Sequence, residues 1–322
     1  MSEFIPQLLL LAGGIGALYF GAEWLIHGAA NLASRFGVSP IVVGLTVVSI
    51  GTSAPELAVC LLAVAGDQPD LAVGNVLGSN LANLGLVLGL TALMNPLKVA
   101  ARVVQREVPI MIGLTILLIL PILDLEVSRG DGLVLVALLM AYLLFVLRSA
   151  KDEPPEIVGE FEGFVEGTEQ DTPHMPIWKA LGLIVVGVAG LLIGGRAIIG
   201  AATFLAAAAG IPDLYVGLTV VAIGTSLPEL ATSLVAAARN EADIAVGNAI
   251  GSNIFNIGAV LGITAVVQPI QVTPHVLRYE FPAVLLISLL VLPLARTSYT
   301  IQRAEGGLLF LSYVGLGLWI FW

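Results

Sequence analysis

Two glutamates stand where an ionisable side chain is costly. Glu56 lies in residues 44–57, GLTVVSIGTSAPEL, and Glu229 in residues 217–230, GLTVVAIGTSLPEL. The two stretches are apolar, long enough for a helix, and identical at 12 of 14 positions. A charged group at the centre of a membrane helix costs about 2.5–3.5 kcal/mol on insertion scales, so its presence marks a functional site by default. Two such costs at matched positions point to one site built from two halves.

The neighbours of each glutamate are oxygen-bearing. Ser49, Thr52, Ser53 and Glu56 fall at i, i+3, i+4 and i+7 and so share one helix face. The second copy places Ala222, Thr225, Ser226 and Glu229 at the same spacing. Pro55 offers no N–H to the carbonyl of Gly51, and Pro228 offers none to Gly224. Carbonyls released near Thr52 and Thr225 must find another partner in lipid, and a cation is a good one. A second signature follows each motif, GNVLGSNLANLG at 74–85 and GNAIGSNIFNIG at 247–258. It sets Asn75, Ser79 and Asn83, and again Asn248, Ser252 and Asn256, along one helix face. Gly74/Gly78 and Gly247/Gly251 form GxxxG pairs that allow close helix packing. Taken alone, the Asn and Ser rows could be interhelical hydrogen-bond glue, the lesser of the two readings.

Two carboxylates balance a divalent charge, and hydroxyls, amides and carbonyls add neutral oxygens. Ca2+ accepts six to eight oxygens in flexible geometry, whereas Mg2+ keeps several waters. No His or Cys accompanies the glutamates, which argues against Zn2+ and Cu. Na+ takes the same hard oxygens, so one site could hold either ion in turn. Glu23 and His27 are weaker candidates; Glu23 reads as half of a structural ion pair or as interfacial. His174 and His275 have no metal-ligand neighbour, and Cys60, the single cysteine, reads as a small buried hydrophobe.

The elements that must position these groups are membrane helices. Only 11% of the 322 residues are charged, and mean hydropathy is +1.00. Ten helices are predicted near 5–33, 38–65, 70–94, 105–123, 131–148, 177–208, 212–238, 243–267, 280–295 and 305–322. The net charge of −10 reflects a local excess, since 8 of the 23 acidic residues lie between 152 and 171, and nothing resembles a nucleic-acid-binding stripe. Residues 150–176 form an acidic solvated linker between a first repeat at 1–149 and a second at 177–322. An offset of 173 residues relates Gly21 to Gly194, Glu56 to Glu229, Asn83 to Asn256 and Glu107 to Glu280. Five helices per half invert the second copy relative to the first, with a site near the midplane. With the termini outside, cytoplasmic loops carry ten Lys and Arg against two outside, so the linker is expected in the cytoplasm of an inner or plasma membrane. Trp319 and Trp322 read as an interfacial anchor.

The paired GTSxPE and GSNxxN segments in inverted halves resemble the alpha repeats of the cation/Ca2+ exchanger superfamily, and prokaryotic Na+/Ca2+ exchangers in particular. That resemblance covers the whole chain. It implies an all-α polytopic protein of ten transmembrane helices, with four central ion sites and Na+-driven Ca2+ antiport by alternating access. In that scheme the first and sixth helices slide across the rest. Carried over by position, Glu56 and Glu229 with the carbonyls of Thr52 and Thr225 would hold Ca2+. Ser53, Ser79, Ser226, Ser252 and the carbonyls of Ser49 and Ala222 would hold Na+, and Asn83 and Asn256 would complete the centre. Some K+-dependent members carry Asp at the position of Asn256, so Asn in both copies weakens the case for K+ co-transport. A monomer suffices for a complete site, and no organic cofactor is expected. H+-coupled antiport and a passive cation channel remain open alternatives; no enzyme motif is present.

Overall fold

A computed structural model describes residues 4–36, 39–149, 175–208 and 222–321. The linker at 150–174, the segment 217–221 of the second motif and Trp322 lie outside the described residues. The rest is organised as ten helical segments in two inverted sets of five. They are α1 (Phe4–Phe36), α2 (40–65), α3 (69–94), α4 (103–123) and α5 (Arg129–Ser149), then α6 (Ile177–Ala208), α7 (222–238), α8 (242–267), α9 (276–296) and α10 (Arg303–Phe321). Eight helices among the described residues are long and apolar enough to cross a membrane, and α7 adds the shorter apolar helix Leu227–Ala238.

The inversion can be read from backbone contacts. A Cβ placed on Gly14 would lie 3.0 Å from Gly194 O, one on Gly21 2.9 Å from Gly187 O, and one on Gly28 2.6 Å from Ala180 O. As the number rises on α1 it falls on α6, so the first helices of the two halves run antiparallel. Only glycine permits this approach, and the seven-residue spacing keeps it on one face of each helix. By contrast α2 runs parallel to α8, with Gly44 against Gly247 and Leu45 against Gly251. Both relations are those of an inverted repeat.

Two departures from the sequence expectation matter for the site. First, the oxygen-bearing residues of the motif do not lie on one continuous helix. Helix Ser49–Thr52 ends at Ser53 (φ −83°, ψ 4°), and Ala54–Ala65 begins anew with Pro55 in its first turn. The break recurs at Ser226 (φ −87°, ψ 4°), between Ala222–Thr225 and Leu227–Ala238. Proline lacks the N–H to continue the ladder and its ring crowds the preceding turn, so the chain restarts there. Each glutamate therefore sits in the first turn of a new helix, where exposed N–H groups favour negative charge. Second, the chain is not entirely helical. Four two-residue strands, β1 (Leu97–Lys98), β2 (Glu126–Val127), β3 (Ile270–Gln271) and β4 (Thr300–Ile301), tie loops of opposite halves together, with Leu97 opposite Ile301 and Val127 opposite Ile270. Sequence periodicity does not register strands this short.

Wide π-type turns interrupt the helices at matched places, Asn83–Val87 with Asn256–Leu261 and Val103–Glu107 with Val276–Glu280. A fifth spans Gly44–Val48. Such turns often sit at functional positions because they re-aim side chains inside a helix. The most enclosed spans are the third and eighth, at 83% and 78% buried, whereas the spans of α1 and α6 are 33% and 22% buried. The polar rows thus occupy the centre, and the α1–α6 pair lies at the edge.

Candidate functional site

Both helix breaks face the polar rows of the opposite half. The carboxylates of Glu56 and Glu229 are completely buried, as are Ser49, Thr52, Asn83, Ser252 and Asn256, with Ser53, Ser79 and Ser226 nearly so. Burying two carboxylates close together is tolerable only with compensating partners. Hydroxyls supply part of this. Ser79 Oγ lies 3.5 Å from Glu56 Oε1 and 3.5 Å from Thr225 Oγ1. On the opposite side Ser53 Oγ donates to Glu229 Oε1 at 3.3 Å, and Thr52 Oγ1 lies 3.5 Å from Ser252 Oγ. Hydroxyls of both halves surround each glutamate, Ser79 and Thr225 beside Glu56, and Ser53, Thr52 and Ser252 beside Glu229.

What remains unsatisfied is mostly acceptor. Among the described residues, Glu56 Oε2, Glu229 Oε2, Asn83 Oδ1, Asn256 Oδ1 and Ser226 Oγ are buried without a hydrogen-bond partner, and so is the donor Asn83 Nδ2. Buried polar atoms without partners are rare in native proteins. The segments that carry them pack on one another: the turn starting at Asn83 lies against the helix of Glu229 and the turn starting at Asn256 against the helix of Glu56. A hard cation satisfies such a set: two carboxylates, two amide oxygens and a hydroxyl, with no nitrogen or sulfur donor. No cluster of three or more His, Cys, Asp or Glu occurs among the described residues, so any cation here relies on neutral oxygens as well.

The repeat is not followed strictly. Ser53 bonds Glu229, but the equivalent Ser226 hydroxyl makes no bond to Glu56. Ser49 donates to Gly44 O at 2.6 Å and to Asn248 O at 3.2 Å, a role its counterpart Ala222 lacks the hydroxyl to play. Only the backbone of Ala222 is described, in the turn that leads to Thr225.

Asn75 and Asn248, first residues of the polar rows, take positions that spacing alone does not reveal. Asn75 Nδ2 reaches Glu56 O at 3.4 Å and Cys60 Sγ at 3.3 Å. Asn248 Nδ2 reaches Glu229 O at 3.2 Å and Ser233 Oγ at 3.0 Å, while its Oδ1 accepts from Thr52 Oγ1 at 3.1 Å. Cys60 and Ser233 are 173 residues apart and do the same job, so the cysteine is buried, as expected, but also acts as a weak acceptor. The sequence signal for these contacts was the repeat itself, which preserves Asn at 75 and 248 while Cys and Ser exchange.

The weaker candidates fall outside this centre. Glu23 pairs with Arg239 rather than with its repeat counterpart Arg196, and Arg239 Nε donates to Glu23 Oε1 at 2.9 Å, with a second contact through Nη2. His275 lies in a helical turn at the start of α9, and its Nδ1 is 3.0 Å from Glu280. Its counterpart at the other end is a buried clamp in which Arg106 donates twice to Glu107 Oε1, at 2.9 and 2.8 Å, and Tyr142 donates to Oε2 at 2.8 Å. Glu107 and Glu280, read from sequence only as markers of the repeat, anchor the starts of α4 and α9. Trp319 packs edge-on against Tyr279 at 5.5 Å between ring centroids.

Comparison with known proteins bears on this arrangement. Residues 6–148 and 179–322 match the family model described as sodium/calcium exchanger protein. The chain is 37% identical over 324 residues to inner membrane protein YrbG of Escherichia coli (strain K12), covering 97% of this chain and 96% of that one. It is 31% identical over 345 residues to sodium/calcium exchanger MaX1 of Methanosarcina acetivorans, covering 98% and 99%. A solved structure of the sodium-calcium exchanger NCX_Mj soaked with Na+ and Sr2+ superposes with a TM-score of 0.81 at 31% identity, covering 97% of each chain.

Proposed function

The chain belongs to the sodium/calcium exchanger protein family, and from that premise we propose that it is a Na+-driven Ca2+ antiporter working through one Glu-centred site. Cation/Ca2+ antiport, rather than enzymatic catalysis, follows from the family. The specific reading is that Glu56 and Glu229, with the carbonyls of Thr52 and Thr225, hold Ca2+. Ser53, Ser79, Ser226 and Ser252, with the carbonyls of Ser49 and Ala222, hold Na+, and Asn83 and Asn256 close the centre. The observation that carries it is the set of buried, partnerless oxygens on Glu56, Glu229, Asn83, Asn256 and Ser226.

Alternating access has a physical basis in the α1–α6 pair. A Cβ on Gly51, just before the first break, would lie 2.8 Å from Val188 Cγ2, and one on Gly224, before the second, 2.4 Å from Ile199 Cδ1. Both blocking side chains belong to α6, so sliding the glycine-seamed pair along the bundle would uncover one break while covering the other. The proposed topology places both termini outside and the linker in the cytoplasm, with residues 1–149 and 177–322 as the two repeats. Na+ and Ca2+ are transported substrates, and one chain contains the whole site.

The hydroxyls ranged around each glutamate favour Na+ over H+ as the driving ion, since Na+ needs neutral oxygens and a proton does not. Purified protein in liposomes tests this directly. Ca2+ uptake is expected under an imposed Na+ gradient at fixed pH, and none under a pH gradient without Na+. Uptake driven only by the pH gradient would replace this reading with H+-coupled antiport, and Ca2+ flux without any counter-ion with a channel.

A further inference from the structure

An asparagine at an ion site presents either its carbonyl oxygen or its NH2, and only the first binds a cation. Asn256 has to be held the right way round. Its Nδ2 donates to Asn80 Oδ1 at 3.1 Å. Asn80 Nδ2 in turn donates to the backbone carbonyl of Asn253 at 3.3 Å. That carbonyl can only accept, so Asn80 must turn its NH2 toward Asn253 and its oxygen toward Asn256. Asn256 must then answer with NH2. Its own oxygen is left as a buried atom without a partner, on the turn that packs against the helix of Glu56. All three asparagines are buried, so no exchange with solvent competes with the chain of bonds.

We infer that Asn80 is a positioning residue which fixes the amide of Asn256 with its oxygen free for the transported cation. The inference rests on the proposed cation site. It assigns a task to a residue of the GSN segment that lies off the Asn75–Ser79–Asn83 row. The arrangement is made once, not twice. Asn253, the repeat counterpart of Asn80, spends its Nδ2 on Ala249 O at 2.8 Å within its own helix. Among the described residues Asn83, the counterpart of Asn256, has neither amide atom bonded. No hydrogen bond sets the direction of the Asn83 amide, whereas that of Asn256 is locked with its oxygen free. The two halves thus contribute unequal amides to a nearly symmetric centre.

The consequence is a dependence on residue chemistry at 256. An amide has a wrong edge and needs Asn80; a carboxylate presents oxygen on both edges and does not. Losing the contact removes about 0.5–1.5 kcal/mol of orientation, the net worth of a hydrogen bond, which corresponds to a roughly 2- to 12-fold change in affinity.

The experiment measures Ca2+ KM and maximal rate of Na+-gradient-driven uptake for Asn80→Ala, Asn256→Ala, Asn256→Asp and the doubles Asn80→Ala/Asn256→Ala and Asn80→Ala/Asn256→Asp. Asn80→Ser stands in for Asn80→Ala if the alanine variant is not monodisperse, because a serine hydroxyl is too short to bridge both partners. Asn80→Ala is expected to raise KM by that factor with little change in maximal rate, and to give no further rise in KM once residue 256 is Ala or Asp; with Asp at 256 the Asn80 oxygen faces a carboxylate, so its removal only relieves that contact. If Asn256→Ala leaves KM unchanged, the site reading fails at Asn256. If Asn256→Ala raises KM while Asn80→Ala does nothing, or if its effect persists with Asp at 256, the site stands and the positioning role is overturned.

Discussion

Glu229→Gln replaces a fully buried carboxylate by an amide of nearly the same shape. In the protein Glu229 accepts from Ser53 and is ringed by Thr52 and Ser252, so the new NH2 would face hydroxyls and whatever cation they surround. Removing one member of a buried charge pair typically costs about 3–5 kcal/mol. At about 1.4 kcal/mol per tenfold this weakens Ca2+ roughly 100- to 4,000-fold. The ion-free protein should not lose stability, because Glu56 is relieved of a like charge beside it. The assay is thermal unfolding of detergent-solubilised protein across a Ca2+ titration. A ligand at 100 times its Kd stabilises by about 2.7 kcal/mol, so wild type should show a clear upward shift. At the same Ca2+ concentration the variant, with affinity lowered about a thousandfold, should shift by less than about 0.1 kcal/mol. An unaltered Ca2+-dependent shift in Glu229→Gln would refute the claim that this carboxylate holds the ion.

Three further outcomes follow. Asn248→Ala leaves Glu229 O, Ser233 and Thr52 short of partners and should cost about 2–4 kcal/mol of stability; Asn75→Ala, which loses two longer contacts, should cost about half that, and equal losses by chemical or thermal unfolding would speak against the assignment. Gly187→Ala puts a Cβ 2.6 Å from Leu25 N and 2.8 Å from Gly21 O, backbone atoms that cannot step aside, so α1 and α6 must separate at about 1–3 kcal/mol; a melting temperature and uptake rate matching wild type would contradict the close seam. Glu241, in the turn before α8, is pushed up to about 7 by burial and by the neighbouring Asp243, against the opposing pull of Arg239. A raised folded-state value stabilises the fold in acid, and this contribution is lost as pH climbs from the ordinary carboxylate range near 4.5 through 7. Glu241→Gln should flatten that part of the stability–pH profile, and an unchanged slope would show that another group titrates there.

Much of the fold was legible because its signals are redundant. Hydropathy located the helices, and a repeat of odd helix number required inversion, which the opposed numbering of Gly14, Gly21 and Gly28 against Gly194, Gly187 and Ala180 displays. The proline was legible too, and with it the freed carbonyl of Gly51, but spacing does not say that the helix ends at Ser53 and starts anew. Contacts between halves were harder to read. Nothing local announces that Glu23 meets Arg239, or that β1 pairs with β4, because those partners are chosen by how the bundle closes. The direction of an amide is harder still: Asn80 and Asn253 are the same residue in the same motif, yet they bond differently because their neighbours differ.

Competition between Ca2+ and Na+ for one Glu-centred site is the core of the proposal. Its most direct test is the Ca2+ dissociation constant of the purified protein, measured at fixed pH over a range of Na+ concentrations. Competition makes the apparent Kd climb steeply as Na+ rises, and Glu56→Gln and Glu229→Gln are each expected to abolish high-affinity binding. A Ca2+ Kd that ignores Na+ and responds only to pH would contradict it.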